Sequence, residues 1–338
     1  MEKISYEHYL AMLQNIDMSD EDLMEYSVVE PGKGMEIQIR PNPERVDMSA
    51  EQLQRENAMK IGNGIARWRR RSAFSRRSKT ENLPVLVSEG DSWFQFPFLI
   101  EDVIDHLGKD YLIWSLCAAG DTADNMVHGD LAQGKTEYMA ALHKFKSKVK
   151  GFLFSGAGND IIGEDPETAK PVLTNLLKDF NGDDTDIIGH IDSEKLNAAL
   201  AKLKTAYETV ITNVRAEFPS LPIIIHGYDY VFPYPENPAD PRDPRHTTKE
   251  KWLAPPMMAR NIQNQALRRN IIKHMLDRLY AMLEELAGDS TVTKVWVVNC
   301  RGAMPAVSDW VDEIHGTSQG FAKVAERFRT VIRNAGIV

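Results

Sequence analysis

Five short apolar runs, separated by stretches with helical periodicity, constrain the fold of this chain more than any other feature. They occupy residues 84–87, 111–114, 151–154, 223–225 and 295–298. Runs of this length that alternate with amphipathic helices are typical of strands in a parallel sheet. The sequence therefore predicts an α/β fold built on five parallel strands.

Two long amphipathic stretches separate the last three runs. Their apolar residues keep helical spacing, from Leu196 to Phe218 and from Ile262 to Leu286, which predicts two helices whose stripes face the core. Gly288 is placed to end the second of these helices. A final helix is predicted to begin near Thr317 and to end at Gly336.

The first 80 residues have a different texture. Helical patterns at 5–15 and 49–66 flank a short alternating stretch at 36–40, which predicts a strand. Residues 67–79 then carry seven basic side chains and no acid, typical of a solvated helix end that leads into a linker. We therefore expect an N-terminal extension or docking segment over 1–80 and a second domain over 81–338. The alternative is that helix 49–66 packs across the sheet.

Composition narrows the possible functions. The net charge is −9, which disfavours nucleic acid and anionic lipid as partners. No apolar run approaches the roughly 20 residues that span a bilayer, and the N-terminus has no pattern of a secretory signal. Two cysteines cannot form a disulfide framework or a zinc site of the CxxC type. We expect a cytoplasmic protein with unpaired thiols.

Three short motifs follow the first three predicted strands. They are Gly90-Asp91-Ser92, the block 118–121 that contains Gly120, and the SGAGND block 155–160 that contains Asn159. Because the carboxyl ends of parallel strands meet at one edge of a sheet, we expect these motifs to lie together. A serine hydroxyl beside a glycine N–H and an asparagine amide forms a nucleophile with an oxyanion hole. Taken singly, each motif is more typical of an ordinary turn.

A fourth motif, Asp312-Glu313-Ile314-His315, follows the last predicted strand. An aspartate three residues before a histidine can accept a proton from one imidazole nitrogen, which leaves the other nitrogen as a base toward a serine. The competing interpretation is a loop histidine beside a solvated acidic cluster.

In this order, the four blocks resemble those of the SGNH or GDSL-type serine hydrolases, and the resemblance covers about residues 84–338. It implies a flavodoxin-like three-layer α/β/α sandwich and hydrolysis of esters without a metal or other cofactor. It further implies Ser92 as nucleophile, His315 as general base and then general acid, and Asp312 as the group that orients His315. The backbone N–H groups of Ser92 and Gly120 and the amide of Asn159 would hold the oxyanion. Asp91 and Asp160 would brace their loops.

The chain departs from the family pattern at two places. Ala157 stands where the pattern usually has glycine, two residues before Asn159, and Trp93 replaces the usual leucine after the serine. Trp93 begins an aromatic stretch that extends to Phe98. This stretch could pack under the sheet edge or line an acyl pocket.

A proline-rich loop follows the fourth strand. Residues 228–256 contain seven of the 17 prolines, and a long irregular loop at this edge is typical of a lid, a binding loop or a disordered insert. His226 at the end of the strand could face the pocket, although a structural role is favoured.

These observations support three hypotheses. The first is an esterase or deacylase that acts on a small ester through an acyl-enzyme. The second is a lipase or lysophospholipase, which needs a wide apolar groove. The third, from another class, is an interaction or effector protein that docks a protein partner through residues 1–80.

Overall fold

The computed structural model describes residues 3–15, 17–31, 37–48, 61–96, 100–129, 136–163, 171–244 and 252–338. The strands in these ranges are β1 (Ile4–Ser5), β2 (Ser27–Pro31), β3 (Ile37–Pro41), β4 (Val46–Asp47), β5 (Val85–Gly90), β6 (Leu112–Ser115), β7 (Val149–Ser155), β8 (Ile223–His226) and β9 (Val295–Val298). The α-helices are α1 (Tyr6–Gln14), α2 (Asp20–Glu25), α3 (Ile61–Arg77), α4 (Val103–Leu107), α5 (Ala123–His128), α6 (Glu137–Lys144), α7 (Gly158–Ile162), α8 (Val172–Leu176), α9 (Ser193–Glu217), α10 (Ala254–Ala259), α11 (Gln265–Ala287), α12 (Ser290–Thr293) and α13 (Ser318–Asn334).

The five predicted apolar runs form one parallel sheet. Its strand order is β6-β5-β7-β8-β9, which is the 2-1-3-4-5 order of a flavodoxin-like sheet. Every residue of β5 and of β8 is buried, as expected for strands that have helices on both faces. Cys117 and Cys300 follow the two outermost strands, and both thiols are free and buried. The fold class predicted from the sequence is confirmed.

Helices cover both faces of the sheet. Phe154 of β7 pairs in register with Ile225 of β8, so the next residue, His226, points to the opposite face. Tyr207 of α9 packs edge-on to Phe154, whereas Phe328 of α13 packs edge-on to His226. Helices α9 and α13 therefore lie on opposite sides, and the architecture has three layers.

The long helices form where the apolar stripes predict them. Asp192 and Asn264 cap the N-termini of α9 and α11, and each accepts a backbone N–H three residues ahead. Gly288 ends α11 at φ 51°, and Thr317 caps α13.

The helix after Ser92 is shorter than predicted. The sequence after the Ser92 motif predicts a helix over 98–107, but α4 begins at Val103. Asp102 sets this start, since its carboxylate accepts the N–H groups of Ile104 and Asp105 while Asp105 reaches back to Asp102. Residues 97–99 lie outside the described ranges.

The N-terminal residues have a small core of their own. The predicted strand at 36–40 is β3, which pairs antiparallel with β2, and the predicted helix at 5–15 is α1. A cluster of buried side chains joins these elements to α3: Tyr6, Tyr9, Met12, Leu13, Leu23, Ile39, Val46 and Ala66. The predicted helix at 49–66 lies mostly outside the described residues.

Most of the basic run at 67–79 is the helix end that the sequence predicted, but its side chains contact the body of the protein and are not fully solvated. Helix α3 continues to Arg77, and its Phe74 packs against Val85 and Leu112 of the sheet. The Arg70 guanidinium donates to Asp102 at 2.5 Å and to Asp105 at 2.7 Å. The run is helical because the body of the protein supplies acceptors for its guanidinium groups. A domain boundary near residue 80, and a protein partner for residues 1–80, remain predictions.

No helix in the described ranges combines the length and the apolar character that crossing a bilayer requires.

We expect Arg70→Met to lower the free energy of unfolding by roughly 3 kcal/mol, because it leaves the fully buried Asp102 carboxylate without its partner. The matched control is Arg76→Met on the same helix, whose ion pair with Asp17 is about half exposed and should matter by less than about 1 kcal/mol. Urea unfolding of the two variants measures the difference. Equal losses would contradict a structural role for the Arg70 contact.

Candidate active site

The loops that follow four strands meet at the carboxyl edge of the sheet. Ser92 follows β5, Gly120 follows β6, Asn159 lies in α7 after β7, and His315 lies in the loop between β9 and α13. Ser92, Asn159 and His315 are buried. The structure thus brings together residues that are up to 223 positions apart in the sequence.

Ser92, His315 and Asp312 form a continuous chain of hydrogen bonds. His315 Nε2 lies 2.8 Å from Ser92 Oγ, and His315 Nδ1 lies 2.7 Å from Asp312 Oδ2. The second carboxylate oxygen, Oδ1, accepts the backbone N–H groups of Ile314 at 2.8 Å and His315 at 2.6 Å. The three-residue spacing works because the aspartate folds back over its own turn.

Asp312 remains charged in this environment. Burial alone would raise its pKa, but the charge of His315 and the hydrogen bonds from His315 and Ile314 outweigh that effect and hold the pKa below its ordinary value. The carboxylate is therefore available to accept a proton from Nδ1 of the imidazole. In this tautomer Nε2 carries a lone pair toward Ser92.

Three groups near the carboxyl edge of the sheet are candidate oxyanion donors: the backbone N–H groups of Ser92 and Gly120 and the side-chain amide of Asn159. Among the hydrogen bonds of the described residues, the backbone N–H groups of Ser92 and Gly120 donate none. Gly120 has φ 85°, a conformation that favours glycine. The Asn159 amide donates one N–H to Asp121 O at 2.5 Å. This bond fixes the plane of the amide and leaves its second N–H for a ligand.

Ala157 adopts a backbone conformation that normally requires glycine. Its φ is 108°, and its side chain is buried. A non-glycine residue in such a region is strained by about 1–3 kcal/mol. The departure from the family pattern noted in the sequence is thus accommodated with the backbone turn that glycine would make.

Asp91 braces the nucleophile loop. Its Oδ1 accepts the Trp93 N–H at 3.1 Å, and its Oδ2 accepts the Tyr228 hydroxyl, which in turn accepts the N–H of Gly158 at 2.8 Å. Burial raises the pKa of Asp91 to about 6, against the opposing effect of these hydrogen bonds. The sequence offered no signal for Tyr228.

A second serine–histidine contact lies beneath the first. His226 Nε2 is 2.7 Å from Ser155 Oγ, which is 3.0 Å from Asp91 Oδ1. His226 Nδ1 lies 2.6 Å from Gly227 O, and burial lowers the pKa of His226 to about 4. Ser155 and His226 are fully buried and do not line the cavity beside Ser92. The structural role that the sequence favoured for His226 fits this position.

Glu313, the residue after Asp312, holds the proline-rich loop by hydrogen bonds. The buried carboxylate of Glu313 accepts the backbone N–H groups of Tyr234, Leu253 and Ala254 at 2.7–2.9 Å. Burial raises the pKa of Glu313 to about 7, although these three N–H groups act in the opposite direction. One side chain therefore holds both ends of residues 234–254.

Aromatic side chains enclose the imidazole of His315. Phe96 packs edge-on at 4.6 Å between ring centroids, and Trp252 of the proline-rich loop packs edge-on at 5.4 Å. Arg242 of the same loop donates to the Asp312 carbonyl at 3.1 Å. The loop thus forms part of the wall around the base.

A cavity that is partly open to solvent adjoins Ser92, and the empty space within it and its mouth amounts to about 740 Å³. Its polar lining residues are Asp91, Ser92, Asn159 and Tyr228. The rest of the lining is apolar: Trp93, Ala157, Gly158, Ile161, Ile162, Leu196, Leu200, Val231, Leu253, Ile272, Met275, Leu276, Leu279 and Ile314. An apolar compartment therefore adjoins Ser92.

Asp160 has a structural role in the site. Asp160 Oδ2 accepts the N–H of Ala123 at the start of α5 at 2.9 Å, so it braces its loop as expected. Within the described ranges, no three His, Cys, Asp or Glu side chains are grouped so as to hold a metal ion.

Comparison with known proteins finds similarity to solved structures alone. No protein-family model matches the chain, and no curated protein matches it. The chain is similar to the lipase Lip_vut3 from a goat rumen metagenome, with 12% identity and a TM-score of 0.42, over 75% of this chain and 98% of that one.

Two further similar structures are a phospholipase A1 from Streptomyces albidoflavus and a carbohydrate esterase of family 3 from Talaromyces cellulolyticus. The identities are 14% and 11%, and the TM-scores are 0.41 and 0.39. The matches cover 74% and 76% of this chain and 100% of each of the other two. These proteins are named as ester-processing enzymes, but similarity at this level carries no information about the reaction of this chain.

Ala157→Gly is expected to raise the free energy of unfolding by about 1 kcal/mol. Relief of about 1–3 kcal/mol of backbone strain exceeds the loss of one buried methyl group, about 0.8 kcal/mol. The control is Ala325→Gly, a fully buried alanine inside α13, which should lose about 1 kcal/mol or more. Urea unfolding compares the two. A loss of stability in both variants would refute strain at Ala157.

Proposed function

We propose that this protein hydrolyses a carboxylic ester through an acyl-enzyme on Ser92. The observation that carries the proposal is the hydrogen-bonded chain from Ser92 Oγ through His315 to Asp312, with Ser92 in the lining of an apolar cavity. The resemblance to SGNH hydrolases, noted from the sequence, assigns the same residues. A cytoplasmic location remains a prediction.

In the first half-reaction, Ser92 Oγ attacks the carbonyl carbon while His315 Nε2 takes the hydroxyl proton. The negative charge that develops on the carbonyl oxygen is stabilised by the N–H groups of Ser92 and Gly120 and by the Asn159 amide. His315 then gives its proton to the leaving alcohol as the C–O bond breaks. In the second half-reaction, water attacks the acyl-enzyme with the same proton transfers and releases the acid.

Asp312 stabilises the imidazolium that forms in each step. Because its pKa lies below the ordinary range, the carboxylate stays charged when the solution is mildly acidic. Mild acid is therefore not expected to remove the negative charge that Asp312 supplies beside His315.

A fluorophosphonate probe should add one mass increment, on Ser92, because a base-activated serine attacks phosphorus. Ser92→Ala should abolish the adduct, and intact mass with peptide mapping measures this. Ser155→Ala is the matched control, since Ser155 is the other serine in contact with a histidine nitrogen. An adduct that persists in Ser92→Ala and disappears in Ser155→Ala would overturn the assignment.

A lipase or lysophospholipase activity is the second candidate, and the apolar cavity favours it. Beyond Ser92 and Asn159, the lining comes mainly from aliphatic side chains of α7, α9 and α11. Each methylene group removed from water stabilises a bound acyl chain by about 0.8 kcal/mol. We therefore propose that the acyl group is a medium or long chain rather than acetyl.

Across p-nitrophenyl esters from acetate to palmitate, kcat/KM should rise to a medium or long chain length. Leu276→Trp should reduce kcat/KM for octanoate on the order of tenfold while sparing acetate, because the indole occupies space that about two methylene groups would fill. Leu286→Trp is the control, a partly buried leucine of the same helix that does not line the cavity. Equal chain-length profiles for the two variants would refute the acyl site.

A further inference from the structure

Asn63 contacts both loops that carry the proposed backbone oxyanion donors, although it lies in α3, outside the part of the chain that resembles the hydrolases. We propose that Asn63 is a positioning residue that fixes the oxyanion hole. The inference rests on the proposed function, because a hole for an oxyanion has a role only if Ser92 attacks a carbonyl.

The Asn63 amide pairs with the backbone of Ala119 as a neighbouring strand would. Asn63 Nδ2 donates to Ala119 O at 3.0 Å, and Asn63 Oδ1 accepts the Ala119 N–H at 2.9 Å. These two bonds fix the peptide groups on both sides of Ala119. The peptide group between Ala119 and Gly120 contains both Ala119 O and the Gly120 N–H. The direction of that N–H therefore depends on the Asn63 side chain.

The same amide also contacts the nucleophile loop. Gln95, which is fully buried, donates Nε2 to Asn63 Oδ1 at 3.2 Å and to Asn63 O at 3.3 Å. The Gln95 N–H closes the turn of Ser92 by donating to Asp91 O at 3.0 Å. Asn63 therefore sets the distance between the Gly120 loop and the Ser92 loop.

The third donor depends on the same loop. Asp121 O holds the Asn159 amide at 2.5 Å, and Asp121 is two residues after Ala119. A displacement of Ala119 would therefore move Gly120 and turn the Asn159 amide. Ala119 is next to Gly120, and Gln95 is three residues after Ser92. Short segments of backbone therefore connect Asn63 to the two N–H donors, and Asp121 O extends the connection to the Asn159 amide.

Asn63 is not needed to dock α3 onto the sheet. Arg67 donates to Cys117 O at 2.9 Å, Arg71 donates to Ser115 O at 3.2 Å, and Arg70 donates to Phe94 O at 2.6 Å. Phe74 adds an apolar contact with the sheet. A change at Asn63 should therefore disturb the loop geometry while the helix stays in place.

The test uses the full chain with Asn63→Asp, which keeps the shape and the acceptor but turns a second oxygen toward Ala119 O. We expect kcat for p-nitrophenyl esters to fall about 10- to 100-fold, because oxyanion donors act in the transition state and small misplacements are costly. KM should stay within about twofold.

Two variants separate positioning from general destabilisation. Asn63→Ala removes the amide without adding charge and should show the same kcat loss. Arg77→Ala, on the same helix, removes a contact with Gly108 O far from the site and should change thermal stability without changing kcat. A variant of Asn63 that keeps wild-type kcat, or changes KM alone, overturns the proposal.

A double-mutant cycle adds a readout that a purely structural role would not move. Asn159→Ala alone should lower kcat about 100-fold. If Asn63 acts through the oxyanion hole, Asn63→Asp should cost less in the Asn159→Ala background than in the wild type. Additive losses overturn the proposal. A wild-type protein that neither hydrolyses esters nor labels at Ser92 overturns the proposed function itself.

Discussion

The parallel direction of five strands is the constraint on which the candidate site depends. Because β5 to β9 all run the same way, the turns that follow them emerge at one edge. Ser92, Gly120 and Asn159 lie close to the ends of their strands, whereas a longer loop after β9 brings His315 to the same edge. The buried strands also fix the register of these turns, since a slip by one residue would reverse every side chain.

The sheet and the serine–histidine–aspartate chain were accessible from the sequence for different physical reasons. Buried strands are uninterrupted apolar runs, as in Ile223-Ile224-Ile225, and such runs have few other interpretations once helices flank them. The contact between Asp312 and His315 is local, because three residues of turn bring the carboxylate to both the backbone and the imidazole. Local geometry of this kind is encoded in spacing.

Long-range contacts that no motif or strand end marks were not accessible in this way. Asn63 meets Ala119 across 56 residues, and Arg70 meets Asp102 across 32, with no periodicity that marks either pair. The basic run looked solvated because most of its acceptors are backbone carbonyls and carboxylates that are distant in the sequence, among them the buried Asp102, and no pattern reveals these contacts. The short helix after Ser92 was overestimated because Asp102, a single capping residue, sets its start.

The buried hydrogen bonds among His226, Ser155 and Asp91 constrain which of these groups carries a proton. His226 Nδ1 faces the Gly227 carbonyl and must carry a hydrogen, so Nε2 of a neutral ring can only accept one from Ser155. Ser155 has one hydrogen, which it donates to Asp91 Oδ1 while that carboxylate is charged, so both contacts are satisfied together only if Asp91 is protonated. With the pKa of Asp91 raised by burial to about 6, one of the two contacts loses its hydrogen as pH rises through that value. The native state binds this proton more tightly than the unfolded chain does. The stabilisation that Asp91 contributes is therefore complete below about pH 4 and is lost as the pH rises to about 6. The hydrogen bonds among Asp91, Ser155 and His226 therefore depend on pH through Asp91, a group that is not part of the chain from Ser92 to Asp312.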